Sequence, residues 1–126
     1  MNFVPCRLEH NGSGLAVRLT DTLSFSVPAS RSARYQPHAG KALLFGLRPE
    51  HITDPRYERS ELRPFSVTLD VVEPMGMETV VYFKLDGIEV CGRVEPSSVS
   101  AAGQPMRLSA DLNQMHLIDP QTDLVL

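Results

Sequence analysis

Apolar and polar residues alternate along most of this chain, and Pro or Gly interrupts every stretch in which a helix of more than about two turns could form. Leu15, Val17 and Leu19 fall on one side of an extended segment, with Ala16, Arg18 and Thr20 on the other. Leu23, Phe25 and Val27 interleave with Ser24 and Ser26. The pattern returns at Phe65, Val67, Leu69 and Val71, at Val81, Phe83 and Leu85, at Ile88 and Val90, and at Met106, Leu108, Ala110 and Leu112. Successive side chains on a strand point to opposite faces, so each run reads as a half-buried strand.

Turn residues stand between the runs. Asn11-Gly12-Ser13-Gly14 joins the first two strands, and Asp86-Gly87 is a two-residue hairpin loop that needs positive φ at both positions. The predicted pairings are therefore 2–9 with 15–20 and 78–85 with 88–94. Segments 28–41 and 53–64, rich in Pro, Ser and Arg, read as surface loops. Neither has the length or uniformity of an interdomain linker, so residues 1–126 are expected to form one unit. Short strands with frequent turns imply an all-β fold, a small antiparallel barrel in which two sub-barrels can interleave.

At 126 residues and 42% hydrophobic, the chain can bury a core of ordinary size. Its longest apolar stretch, Ala42 to Leu47, is far short of the roughly 20 residues of a transmembrane helix. Without a secretion signal at the N-terminus, the expected location is the cytoplasm. Cys6 and Cys91 stand apart, outside any metal or redox spacing, and read as structural thiols. The net charge of -3 is unevenly divided, with most basic residues before Pro64 and most acidic ones after it, which gives a two-part surface.

Several chemistries lack their residues. Gly40-Lys41 is followed by Ala42 and has no glycine at phosphate-loop spacing before it. Gly12-Ser13-Gly14 cannot form a nucleophile elbow and suits a turn. His10, His38, His51 and His116 show no metal-ligand spacing. Glu58 and Glu61 lie among arginines, and Asp119 and Asp123 flank Pro120, which suits solvated faces and turn caps rather than acid/base catalysis. Single-stranded nucleic acid needs stacking aromatics beside basic groups. Phe25, Phe65 and Phe83 are in phase with the core, which leaves Tyr35, Tyr57 and Tyr82 as exposed aromatics on an acidic chain. No catalytic residue, metal site or nucleic-acid partner is expected.

One segment is unusual. In Gly46-Leu47-Arg48-Pro49-Glu50-His51, Pro49 stops strand pairing where Arg48 and Glu50 are set close together, giving a fixed corner with an ion pair or an exposed charged knob. This segment resembles the G-[LIV]-R-P-E-H signature in the C-terminal domain of ATP-binding subunits of ABC importers, of the maltose and glycerol-3-phosphate type. Three further blocks are similar to that family in the same order: Met1-Asn2-Phe3, then Val72-Glu73-Pro74-Met75-Gly76-Met77-Glu78-Thr79-Val80, and Asp111 through Asp119, with Ile118 in place of the usual Phe.

The resemblance implies a transport-associated OB-fold barrel, non-catalytic and without a cofactor of its own. It would form the C-terminal part of a longer ATPase subunit, with Met1 near the boundary; ATP and Mg belong to the absent nucleotide-binding domain. It further implies a regulatory and dimer-stabilising role. The implied partners are the subunit's own ATPase domain, a second copy in a homodimer, membrane permease subunits and a regulatory protein, at the inner face of the plasma membrane. Candidate interface or structural residues are Gly46, Arg48, Pro49, Glu50 and His51, then Glu73, Gly76, Glu78 and Thr79, with His116 and Asp119 from the closing block. Gly76 is expected to permit a turn or bulge, and Met75 and Met77 to fill core. A second reading is a small-ligand barrel for an oxyanion such as molybdate. Ser32-Ala33-Arg34 is similar to part of a Ser-Ala-Arg-Asn motif in such barrels, but Tyr35 replaces the Asn.

Overall fold

A computed structural model of the chain describes residues 1–12, 14–55 and 62–126. Among the described residues twelve strands run in the order β1 (Asn2–Asn11), β2 (Gly14–Arg18), β3 (Ser24–Ser26), β4 (Ala42–Leu47), β5 (Ile52–Thr53), β6 (Leu62–Thr68), β7 (Val71–Pro74), β8 (Thr79–Leu85), β9 (Ile88–Val94), β10 (Pro105–Asp111), β11 (His116–Asp119) and β12 (Leu124–Val125). A short helix, α1 (Ala29–Tyr35), lies between β3 and β4.

The strands form a six-stranded sheet, β12-β11-β4-β1-β2-β3, and two three-stranded sheets, β5-β10-β6 and β7-β8-β9. Every pairing is antiparallel. The two halves of the chain interleave, because β11 and β12 return to lie beside β4. Buried side chains from all three sheets make a single core. A run of rings crosses it: Phe25 sits 6.2 Å from Phe45 and 5.4 Å, edge to face, from Phe65, which is 6.0 Å from Phe83. These rings belong to β3, β4, β6 and β8, so aromatic packing joins the three sheets.

The hairpin of β8 and β9 has the expected register, Leu85 opposite Ile88, and Asp86 and Gly87 both adopt positive φ (52° and 81°). The first strand departs from expectation. Its C-terminal half, Arg7 to Asn11, pairs with β2, but Asn2 to Arg7 pairs with β4. A ten-residue strand outlasts its five-residue hairpin partner and takes a second one from later in the chain.

The segment 28–41 is also not an irregular loop. It holds α1 and a 3-10 turn, Gln36–His38, and Tyr35 is fully buried rather than exposed. The cause is non-local. The Arg31 guanidinium donates to Met115 O (2.7 Å), to the Tyr35 hydroxyl (3.1 Å) and to Asn113 O, which fastens the helix to the start of β11. Segment 53–64 runs into β6 from Leu62; Tyr57, Glu58 and Glu61 lie outside the described residues, as does Ser13. Val71 faces solvent, because Asp70 breaks the alternation that Leu69 ends. No helix of the described residues is long and apolar enough to cross a membrane.

Candidate functional site

The residues singled out in the sequence fall into three surface groups. The first is the corner after β4. The strand ends at Leu47, Arg48 is extended, and Pro49 opens a 3-10 turn, Pro49–His51, closed by His51 N donating to Arg48 O (2.9 Å). Proline is suited to this start, since its fixed φ fits the turn and its missing N–H costs nothing there. Arg48 and Glu50 are both exposed and form no ion pair among the described residues, so the corner is a charged knob. His51 is half-buried, and its Nδ1 is shielded from solvent without a hydrogen-bond partner.

The corner is seated on β9. A Cβ at Gly92 would stand 2.7 Å from Ile52 O and 2.8 Å from Ile52 Cγ2, so only glycine admits the backbone that leaves the corner. Asn2 makes the adjoining seam: its Nδ2 donates to Cys91 O (2.8 Å) and its Oδ1 accepts from Cys91 N (3.0 Å). One buried amide thereby satisfies both groups on the free edge of β9, as a neighbouring strand would. Beyond the corner, the buried Asp54 accepts from Ser98 Oγ (2.6 Å).

The second group is the turn between β7 and β8. Gly76 has φ +91°, and Met75 N donates to Glu78 O (2.9 Å). Thr79 is buried at the start of β8, while Glu78 pairs with Arg93 on β9 at 3.7 Å. The Glu73 carboxylate pushes the Tyr82 phenol above its usual range. Met75 and Met77 do not fill core: they are 58% and 97% exposed. They sit at a tip beyond the paired strands, where no second layer lies beneath them.

The third group is the outer face of the large sheet. Register places Phe3, Gly46 and His116 in one row across β1, β4 and β11. The next row is Pro5, Leu44, Ile118 and Val125. The space a side chain at Gly46 would need is occupied by Met1 Sδ, 3.1 Å from the Cβ position, and by the Phe3 ring. Asp119 ends β11 and caps the following turn by accepting from Gln121 N (2.9 Å). At the entry to β11, Asp111 accepts from Asn113 N (3.1 Å) and holds the 3-10 turn in which Asn113 O accepts from Arg31.

The structure thus brings Gly46 beside His116, keeps Arg48 to His51 on the corner, and gathers Glu73, Gly76, Glu78 and Thr79 at the hairpin turn. Among the described residues no group of three or more His, Cys, Asp or Glu could hold a metal ion. Cys6 is buried, which raises its thiol to about 12, and desolvation also raises that of Cys91, so neither is an activated nucleophile. Sequence reasoning missed Asn2, Arg31, Asp54 and Gly92 as the fasteners of these surfaces. Two carried a readable sign: Gly92 is an isolated glycine inside a strand pattern, and Asn2 is a polar residue in phase with Val4, Cys6 and Leu8.

Comparison with known proteins places these features in context. A family model described as a TOBE domain matches residues 45–118, and one described as a MalK OB fold domain matches residues 1–52. The two overlap on the strand and corner from Phe45 to Ile52. A sulfoquinovosyl glycerol transport ATP-binding protein of Agrobacterium fabrum is 32% identical over 123 residues, covering 98% of this chain and 32% of that protein. An sn-glycerol-3-phosphate import ATP-binding protein of Ralstonia nicotianae is 31% identical over 125 residues, with 97% and 33% covered. An oligosaccharides import ATP-binding protein of Bacillus subtilis is 26% identical over 120 residues, with 85% and 32% covered. The chain therefore spans about a third of the length of these relatives. Among solved structures, a cytoplasmic molybdate-binding protein, ModG, superposes with a TM-score of 0.63 at 18% identity, covering 94% of this chain and 96% of that one. At that identity the likeness concerns the fold.

Proposed function

The chain belongs to the TOBE domain family, and from that premise we propose that it is the non-catalytic, regulatory and dimer-stabilising part of the ATP-binding subunit of a sugar-type ABC importer. ATP and Mg are bound elsewhere in that subunit, which works as a homodimer against membrane permease subunits at the inner face of the plasma membrane. A regulatory protein can act on it from outside the ATPase.

The observation that supports this reading is the Arg48–Glu50 corner. Two opposite charges stand exposed, and unpaired among the described residues, on a proline-fixed turn whose exit at Ile52 packs closely on Gly92 of β9. The turn fixes the backbone that carries them, so a partner surface meets two opposite charges at a set spacing, which suits electrostatic recognition.

Two assays test the proposal. The isolated chain, incubated with ATP and Mg, is expected to show no turnover above buffer. In the ATP-binding subunit, the pair Arg48→Ala and Glu50→Ala is expected to shift dimer affinity or permease-coupled ATP turnover several-fold with an unchanged melting temperature. ATP hydrolysis by the isolated chain, or a pair variant that alters neither quantity, would refute it. The oxyanion alternative has no comparable support: Ser32, Ala33 and Arg34 lie in α1, with Tyr35 buried behind them. Calorimetry with molybdate is its direct check.

A further inference from the structure

We propose that the groove between the β2–β3 turn, β6 and the end of β8 is a binding site for a neutral polyhydroxylated small molecule, of monosaccharide to disaccharide size. The inference goes beyond the reading above and does not rest on it.

The first argument is shape. The groove has a volume of about 550 Å³, within the roughly 300–1,000 Å³ of small-molecule sites. Each of the three sheets supplies a wall: Thr22 and Leu23 come from the turn before β3, residues 64–68 from β6, and Lys84 and Leu85 from β8. All of 64–68 line it, in both phases of the strand alternation, so β6 presents its edge to the groove rather than a face. It is the outermost strand of its sheet among the described residues, and such an edge carries unpaired backbone N–H and C=O groups. Leu23 is half-buried and Leu85 buried, which gives the C–H side of a polyol an apolar base to pack on.

The second argument selects the ligand. Lys84, Asp70 and Asp86 line this groove, all exposed, and their side chains make no ion pair or hydrogen bond among the described residues. Lys84 even stands opposite Glu89 in the β8–β9 register without pairing with it. The backbone beneath these groups is fixed. Asp70 N donates to Tyr82 O (2.8 Å), Asp86 is held at φ 52° in the hairpin turn, and Thr20 Oγ1 accepts from Leu23 N (2.9 Å) to set the turn that carries Thr22. An ammonium only donates hydrogen bonds and a carboxylate only accepts them. A ligand hydroxyl does both, so one polyol can serve Lys84 and both carboxylates at once, with the Thr22 and Thr68 hydroxyls taking either role. Two carboxylates against one ammonium leave the groove negative, which disfavours phosphate and other oxyanions. A polyamine, in turn, would meet the like charge of Lys84.

The test titrates the isotope-labelled chain with glucose, sorbitol and trehalose, and separately with inorganic phosphate and spermidine, while its amide resonances are followed. At least one of the neutral probes is expected to shift the amides of Thr22, Thr68 and Asp86 saturably, with a dissociation constant of about 10 mM or below, whereas phosphate and spermidine leave them in place. Lys84→Ala and Asp70→Asn are each expected to weaken that binding about fivefold or more with the far-ultraviolet circular dichroism unchanged. Met77→Ser, at the other end of β8, should leave it as it is. No saturable shift with any neutral probe, saturable shifts of these amides with phosphate or spermidine, or a dissociation constant indifferent to both groove substitutions would overturn the proposal. None of these outcomes bears on the ATP-turnover and corner assays.

Discussion

Replacing Arg31 with alanine removes a side chain that makes three hydrogen bonds. Its guanidinium donates to Met115 O and Asn113 O, 84 and 82 residues away along the chain, and to the Tyr35 hydroxyl on its own helix. A hydrogen bond to a charged group contributes about 1.5–3 kcal/mol, although water can recover part of that at a half-buried site. Such bonds are not additive, so about 3 kcal/mol is a fair total for the three. Unfolding entropy near 2.1 cal/mol/K per residue gives roughly 0.26 kcal/mol/K for a chain of this length, and the melting temperature should fall by about 11 °C. Arg31→Lys keeps the charge but not the planar fork, and one ammonium cannot serve three divergent acceptors equally. It should fall by about half as much. Thermal melts followed by circular dichroism decide the matter. A loss below about 3 °C for alanine, or identical losses for alanine and lysine, would show that the guanidinium geometry is not what fastens α1 to β11.

Other consequences are as direct. Gly92→Ala forces a methyl group against the Ile52 backbone and should cost about 1–3 kcal/mol in a denaturant titration, even though alanine favours the strand conformation. Met77→Ser at the exposed tip should change stability by less than about 0.5 kcal/mol; a loss typical of core would restore the buried reading. Cys6 gives a pH dependence with a definite sign. Its thiol is raised in the folded chain from 9.0 to about 12, so the neutral form is the one folding favours. The stabilisation is complete below pH 9 and is lost, at up to roughly 1.4 kcal/mol per pH unit, as pH rises towards 12. Cys6→Ala should flatten that alkaline slope, and a slope unchanged by the substitution would assign it to other groups.

Much of the architecture was legible in the sequence because strand alternation records which face is buried. Phe25, Phe65 and Phe83 fell in phase with the core for that reason, and Asp86-Gly87 specified its own hairpin. What alternation cannot record is the neighbour on each side. β4 lies between β1 and β11 because of contacts made across the whole chain, and the second partner of β1 follows from that. The helix α1 was invisible for a related reason. Its seven residues carry one buried side chain, Tyr35, and no apolar repeat; its stability comes from Arg31 reaching the other end of the chain. Met75 and Met77, expected to fill core, are exposed because Gly76, at positive φ, turns the chain at the tip of the hairpin.

The candidate surfaces divide in the same way. The corner and the hairpin turn are each local in sequence, and Pro49 and Gly76 marked both. The apolar rows of the outer face are not local, since Phe3, Leu44, Ile118 and Val125 meet only through strand register.

The central claim, that this chain holds two ATP-binding subunits together without taking part in the reaction, is tested most directly by sedimentation equilibrium. The nucleotide-free subunit would be measured with and without residues 1–126. Removing them is expected to weaken the dimer at least tenfold, or about 1.4 kcal/mol. A dissociation constant unchanged by the deletion would contradict it.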